Sequence, residues 1–159
     1  MTYLAKIGEL TLKGSNIQEF ENLLKHNAAE YLKGTGIQLS LRAGRLYIDC
    51  DESASQKVEF ALNHLIGITG WAKATVCEKT IEDISRAVFN LAKNEAQKGC
   101  KTFKIDSRRA DKSFPLNSYQ INCEAAGDVE SIMKVDVHNP YTIIYVEVRE
   151  RCFGYVDSN

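Results

Sequence analysis

The sequence has no excess of charge of either sign: 20 Lys and Arg stand against 21 Asp and Glu in 159 residues, a net charge of −1. No whole-molecule field is available to hold a polyanion, so any nucleic-acid binding has to come from a local patch. A long apolar run is also missing. The longest stretch free of formal charge, 60–72, has 13 residues and contains His64, short of the ~18 that suggest a membrane span. Lys6 and Glu9 come too early for the apolar core of a signal peptide. The five cysteines (Cys50, Cys77, Cys100, Cys123, Cys152) are an odd number and include no CxxC pair, which argues against both a zinc knuckle and a disulfide scaffold. No GxxxxGKS/T phosphate loop occurs. With 44% hydrophobic and 26% charged residues, collagen, coiled coil and disordered tail are excluded, and one medium or two small domains are expected. The expected setting is a reduced, cytoplasmic, soluble one.

What is present is a series of short elements. Tyr3 to Leu10 reads as a strand, broken by Lys13-Gly14-Ser15-Asn16, with Ser15 or Asn16 placed to cap a helix. Ile17, Phe20, Leu23, Leu24, Ala28, Tyr31 and Leu32 recur at helical spacing, predicting one buried face stopped by Gly34 and Gly36. Ile37, Leu39 and Leu41 alternate with polar residues, Ala43-Gly44 turns the chain and 46–50 runs back, a hairpin pattern. Ser53 and Gln56 read as a capping box for a second helix buried through Val58, Ala61, Leu62, Leu65 and Ile66. Gly67 and Gly70 then lead into a strand at 71–77. The order β-α-β-β-α-β is the ferredoxin-like plan, two helices over one face of an antiparallel sheet.

The rest of the chain begins with a capping box, Thr80 and Asp83, and a helix through Ile81, Ile84, Ala87, Val88, Leu91, Ala92 and Ala96 up to Gly99. Thr102 to Ser107 alternates as a half-buried strand with Lys104 opposite Phe103, and 108–115 reads as a polar loop. Asn117-Ser118 caps a shorter helix through Ile121, Ala125 and Val129, with a break expected near Gly127. Strands are expected at 132–138, 142–149 and 152–156, the first two separated by Asn139-Pro140. This is a second α+β unit, α-β-α-β-β-β. The join at 72–79 has no Gly/Ser or Pro linker, so the two units are expected to pack together.

The densest basic segment is 101–112, where Lys101, Lys104, Arg108, Arg109 and Lys112 outnumber Asp106 and Asp111. Guanidinium forks suit phosphate oxygens, Ser113 and amides at a helix start add donors, and the Phe114 ring could stack on an unpaired base. The bland alternative is a solvated loop with Phe114 plugging the core. Lys13, just before a helix, is placed as a sensible phosphate contact of the same kind, although a lysine there is more often merely exposed. His26, His64 and His138 fall in three separate elements without metal-ligand spacing, and no activating base is placed beside any cysteine. No motif for catalysis stands out.

Gly8-Glu9-Leu10 with Leu12-Lys13-Gly14, then 102–105, the run Arg108-Arg109-Ala110-Asp111-Lys112-Ser113-Phe114-Pro115-Leu116-Asn117-Ser118, and 135–140 with Asn139-Pro140 resemble the N-terminal region of the tRNA 4-thiouridine synthetases, or tRNA sulfurtransferases. The resemblance covers essentially the whole chain. It implies an α+β protein with a ferredoxin-like domain at 1–73 and a THUMP domain at 74–159. It also implies binding of tRNA through the acceptor stem and single-stranded 3′ end, so that uridine 8 reaches a separate catalytic domain that uses ATP and takes sulfur from a cysteine desulfurase. No SGGxDS-type pyrophosphatase loop is present, so this chain is expected to be a non-catalytic part without a cofactor or metal of its own, and a trimmed fragment is favoured over a natural stand-alone adaptor. The same resemblance makes Lys104, Arg108, Arg109 and Lys112 the leading RNA contacts, followed by Ser113, Phe114, Asn139 and Lys13. A homodimer is compatible with it; a membrane partner is not expected. Four neutralised phosphates would give a salt slope of roughly −3. The competing reading is a ferredoxin-like protein-interaction or regulatory module, since fold does not fix function. A cysteine-dependent enzyme ranks last, and THUMP domains of methyltransferases and deaminases keep RNA but change the chemistry.

Overall fold

A computed structural model describes residues 1–8, 15–42 and 45–156, and these form two compact units, one of the described residues up to 73 and one of residues 74–156. The first follows the order read from the sequence: β1 (Thr2–Ile7), α1 (Ser15–Tyr31), β2 (Gln38–Arg42), β3 (Arg45–Asp49), α2 (Ser55–His64) and the start of β4 (Ile68–Cys77). Strands lie in the order β2-β3-β1-β4, with β1 and β3 antiparallel from Thr2↔Asp49 to Lys6↔Arg45, and β2 and β3 antiparallel as a hairpin. β1 lies between two strands, and Tyr3, Leu4 and Ala5 are all fully buried although their side chains alternate between its two faces. Tyr3, Ala5, Leu46 and Ile48 share one core with Ala28 of α1, Leu32 just after it, and Val58, Ala61 and Leu62 of α2.

Several expectations for this unit need correction. Leu23 and Tyr31 are about half exposed and Ile66 is 90% exposed, so the buried stripes are narrower than the apolar spacing suggests. No capping box forms at Ser53, because a 3₁₀ turn over Glu52–Ala54 precedes α2 and places Ser53 inside a turn rather than at a helix cap. The cap of α1, the words Glu9-Leu10 and Leu12-Lys13-Gly14, and the Ala43-Gly44 turn lie outside the described residues. Gly67 is required twice over: its φ is +100°, and a Cβ there would sit 2.5 Å from the Phe20 ring.

The second unit carries the end of β4, then α3 (Ile81–Gln97), β5 (Thr102–Arg109), α4 (Ser118–Val129), β6 (Lys134–Val135), β7 (Thr142–Val148) and β8 (Cys152–Val156). Its strand order is β4-β8-β7-β5-β6. The β4·β8 and β8·β7 pairs are antiparallel, and β5 runs parallel to both β7 and β6. Parallel neighbours need a crossover, and α4 supplies it between β5 and β6. Ile84, Val88 and Ala92 of α3 and Ile121, Ala125 and Val129 of α4 pack on Phe103, Ile105, Ile144, Val146 and Val148.

Here the capping predictions fare better. The Thr80 side chain accepts from the Asp83 amide, but the Asp83 carboxylate accepts from the Glu78 amide, so only half of that box forms, whereas Asn117 with Gln120 makes a complete reciprocal box. The break near Gly127 does not occur: α4 continues to Val129, and the Ala126 carbonyl still accepts from the Glu130 amide. One helical glycine costs only about 1 kcal/mol, less than the burial of Ile121, Ala125 and Val129 returns. The strand expected at 132–138 shrinks to two residues. Asp136 Oδ1 accepts from the amides of His138 and Asn139 at 3.2 and 3.0 Å, and this side-chain turn draws the backbone off the sheet.

Candidate nucleic-acid interface

The main correction to the expected site concerns where its arginines lie. Arg108 and Arg109 belong to β5 rather than to a loop, because β7 offers backbone partners in register as far as Arg108↔Glu147 and Arg109↔Val148. Beyond them the Val148 carbonyl accepts from both the Ala110 and Asp111 amides, at 2.9 and 3.0 Å. Alternation then divides the cations between the two faces of the sheet. Phe103, Ile105 and Ser107 point into the core, and Arg109 follows on the same side. Lys104, Asp106 and Arg108 share the other face, the two cations four residues and so about 13 Å apart along the strand with the carboxylate between them.

The two arginines consequently differ in chemistry. Arg109 is half-buried, and its Nη1 donates to the Phe114 carbonyl at 3.1 Å, closing the 110–114 turn from within. Arg108 is exposed and, like Lys104 and Lys112, makes no ion pair or hydrogen bond among the described residues. Its in-register neighbour Glu147 is 1% exposed, and both of its oxygens are engaged, one by Arg149 Nε and one by the Tyr155 hydroxyl, each at 2.7 Å. A buried carboxylate satisfied in this way forms no ion pair with Arg108.

The turn that carries Lys112 and Ser113 is anchored through Asp111. Lys79 Nζ lies 2.8 Å from Asp111 Oδ2, while Oδ1 accepts from the Ser113 amide and hydroxyl. These partners, Lys79 first, hold the Asp111 carboxyl well below the usual carboxylate range. Asp111 is thus neutralised by Lys79, and the exposed Lys112 dominates the tip. Ser113 is exposed, but its hydroxyl is committed to Asp111. The turn leads into the N-terminus of α4, whose first turn contains no acidic residue, a setting favourable to an anion.

Two expected contacts are misplaced. Phe114 is 6% exposed and belongs to the core, so the plug reading holds and its ring is not presented for stacking. Asn139 is exposed on the β6–β7 connection, at the opposite end of the sheet from Arg108, since β5 and β7 are parallel. Lys13 lies outside the described residues.

Sequence reasoning missed two other groups. Tyr119, 75% exposed on the first turn of α4, presents the aromatic ring that Phe114 does not. Ile121, Ala125 and Val129 mark the buried face of α4, and two residues is about 200° of helix, so Tyr119 points outward. Arg151, in the turn between β7 and β8, lies at the same sheet end as Arg109, with its guanidinium carbon 5.0 Å from the centre of the Phe153 ring. Exposed cations and open aromatic rings are the groups that single-stranded nucleic acid uses; here α4 packs on the Phe103/Ile105 face of the sheet, so Tyr119 and the Lys104/Arg108 pair stand on opposite layers. Among the described residues no group of three or more His, Cys, Asp or Glu could hold a metal, and no helix is long and apolar enough to cross a membrane.

Residues 2–72 match the family of ThiI ferredoxin-like domains, and residues 78–157 match the THUMP domain family. A probable tRNA sulfurtransferase of Treponema pallidum (strain Nichols) is 42% identical over 153 residues, 94% of this chain and 38% of that protein. One from Caldanaerobacter subterraneus subsp. tengcongensis is 36% identical over 156 residues, 96% and 40% respectively. The chain spans about two fifths of the length of these curated relatives. A 4-thiouridine synthetase solved in complex with RNA and bound ATP superposes with a TM-score of 0.80 at 26% identity, over 99% of this chain and 40% of that one. PH1313 from Pyrococcus horikoshii Ot3 shares the fold, with a TM-score of 0.82 at 22% identity over 98% of this chain and 53% of that one. The chain belongs to the THUMP family and carries a ThiI ferredoxin-like domain ahead of its THUMP domain, the pairing of the tRNA sulfurtransferases.

Proposed function

We propose that this chain is the tRNA-binding part of a tRNA sulfurtransferase, and that its THUMP domain grips the acceptor stem and 3′ end while uridine 8 is presented to chemistry elsewhere. The observation that carries this reading is the set of cations Lys104, Arg108 and Lys112 at β5 and the turn after it, none of them in an ion pair among the described residues. A-form RNA conceals its sequence in a deep groove, so a protein of this kind relies on backbone charge and on unpaired ends. The match to a synthetase solved with RNA supports the same reading. The ATP-dependent step, and the cysteine desulfurase that supplies its sulfur, belong in this proposal to protein outside these 159 residues, whose sequence has no SGGxDS-type loop. A homodimer and a cytoplasmic setting are part of the same proposal. Filter binding of intact tRNA against tRNA trimmed of its single-stranded 3′ end tests it. Loss of affinity on trimming is expected, and equal affinity for the two would overturn acceptor-end recognition.

A second reading applies to the first unit, where Tyr31 and Phe60, each about half exposed, stack at 6.2 Å between centroids. An open aromatic pair of this kind suits a protein contact. Concentration-dependent sedimentation that disappears in Tyr31→Ser/Phe60→Ser would favour it.

A further inference from the structure

Cys77 and Cys152 face each other across the antiparallel β4·β8 ladder as direct register partners. The remaining cysteines do not pair in this way: Cys50 is buried in the core of the first unit, Cys100 lies between α3 and β5, and Cys123 is exposed on α4. Directly opposed antiparallel residues have Cα atoms about 4.5–5.5 Å apart, inside the ~4.4–6.8 Å range that a disulfide spans. Cys152 is fully buried and Cys77 is partly exposed, so an external reagent meets Cys77 first. The closeness of the two thiols lowers the Cys77 thiol below its ordinary value and, together with burial, raises that of Cys152. One sulfur is therefore the accessible nucleophile and the other the protected partner behind it.

From this arrangement we propose that Cys77 and Cys152 form a reversible dithiol–disulfide site that staples β4 to β8, with a low-molecular-weight disulfide such as oxidised glutathione as its oxidant. The Cys77 thiolate attacks one sulfur of the oxidant, forming a mixed disulfide and expelling one small thiolate. Cys152 then gives up its proton and attacks the Cys77 sulfur, forming the Cys77–Cys152 bond and expelling the second small thiolate. The protein loses two electrons and two protons, and the oxidant becomes two thiols; the reverse exchange restores the dithiol. The staple has a defined neighbourhood. Cys77 lies two residues before Lys79, the partner of Asp111, and Cys152 is opposite Val148, whose carbonyl receives the Ala110 and Asp111 amides. Closure therefore fixes the base of the 110–114 turn. The proposal does not depend on what that turn binds.

The test equilibrates the full chain, oxygen excluded, in glutathione buffers of increasing oxidised fraction, traps free thiols with iodoacetamide after denaturation, and reads intact mass and peptide maps. The expected product has two fewer alkylated cysteines and a single cross-linked peptide joining Cys77 to Cys152. Dithiothreitol should return all five thiols. The product should persist in Cys123→Ser and vanish in both Cys77→Ser and Cys152→Ala, the alanine sparing the core a hydroxyl. Glutathione adducts without the cross-link, or a two-thiol loss that survives Cys77→Ser, would overturn it.

Discussion

Arg108 and Arg109 are adjacent in sequence, yet alanine at the two positions should give different phenotypes. Arg108 is free to meet a phosphate, while Arg109 donates to the Phe114 carbonyl. Each phosphate contact contributes about −0.7 (single strands) to −0.9 (duplex DNA) to the slope of log affinity against log salt. With Lys104, Arg108 and Lys112 available and Arg109 committed, the slope for tRNA should be about −2 to −2.7, shallower than four free cations would give. Arg108→Ala should reduce it by about 0.7–0.9 and cost about five- to eightfold in affinity near 0.1 M salt, or about 1 kcal/mol, with the melting temperature unchanged. Arg109→Ala should leave the slope close to wild type and remove a charge-assisted hydrogen bond worth about 1–2 kcal/mol. That loss lowers Tm by roughly 5–10 °C in a domain of this size. Fluorescence anisotropy with labelled tRNA across a salt series, paired with thermal denaturation, reads both quantities. Equal changes in slope for the two variants, with Tm unaffected in both, would refute the division of labour between the faces of β5.

Phe114→Ala should destabilise the second unit by about 3–5 kcal/mol, as deletion of a core aromatic does, visible as a large fall in Tm. Tyr119→Ala should leave Tm within a degree or two and weaken binding only to RNA with an unpaired 3′ end, by about 1–3 kcal/mol in titrations against end-trimmed RNA. Asn117→Ala removes the capping box of α4 and should cost about 1 kcal/mol in urea denaturation. The Asp111 carboxyl is held below its unfolded value, so the stability it contributes is present above about pH 4 and lost as pH falls through its folded pKa. Thermal melts of wild type and Asp111→Asn should therefore differ at pH 7 and converge in acid.

The ferredoxin-like order and the helices of both units were legible because apolar period and capping chemistry act locally. Asn117 with Gln120, and the stripe from Ile84 to Ala92, need no distant partner to be recognised. What the sequence concealed depended on neighbours far along the chain. Arg108 and Arg109 look like loop residues until β7, almost forty positions later, supplies their ladder. Conversely, residues 132–138 have a strand's composition, but the Asp136 turn leaves only two of them paired. The basic strip was readable as charge, whereas its division into free and committed cations follows from strand alternation. Lys79 as the anchor of Asp111, and the pairing of Cys77 with Cys152, are products of tertiary register alone. Tyr119 was within reach, since its offset from Ile121 on a capped helix already points it outward.

The most direct test of RNA docking by the end of β5 and the start of α4 is an amide chemical-shift map of the labelled chain titrated with a tRNA acceptor-stem minihelix bearing its unpaired 3′ end. Saturable shifts should concentrate at residues 104–120, with Arg108, Lys112 and Tyr119 among them. Silence across that segment while amides elsewhere shift and saturate would contradict the account.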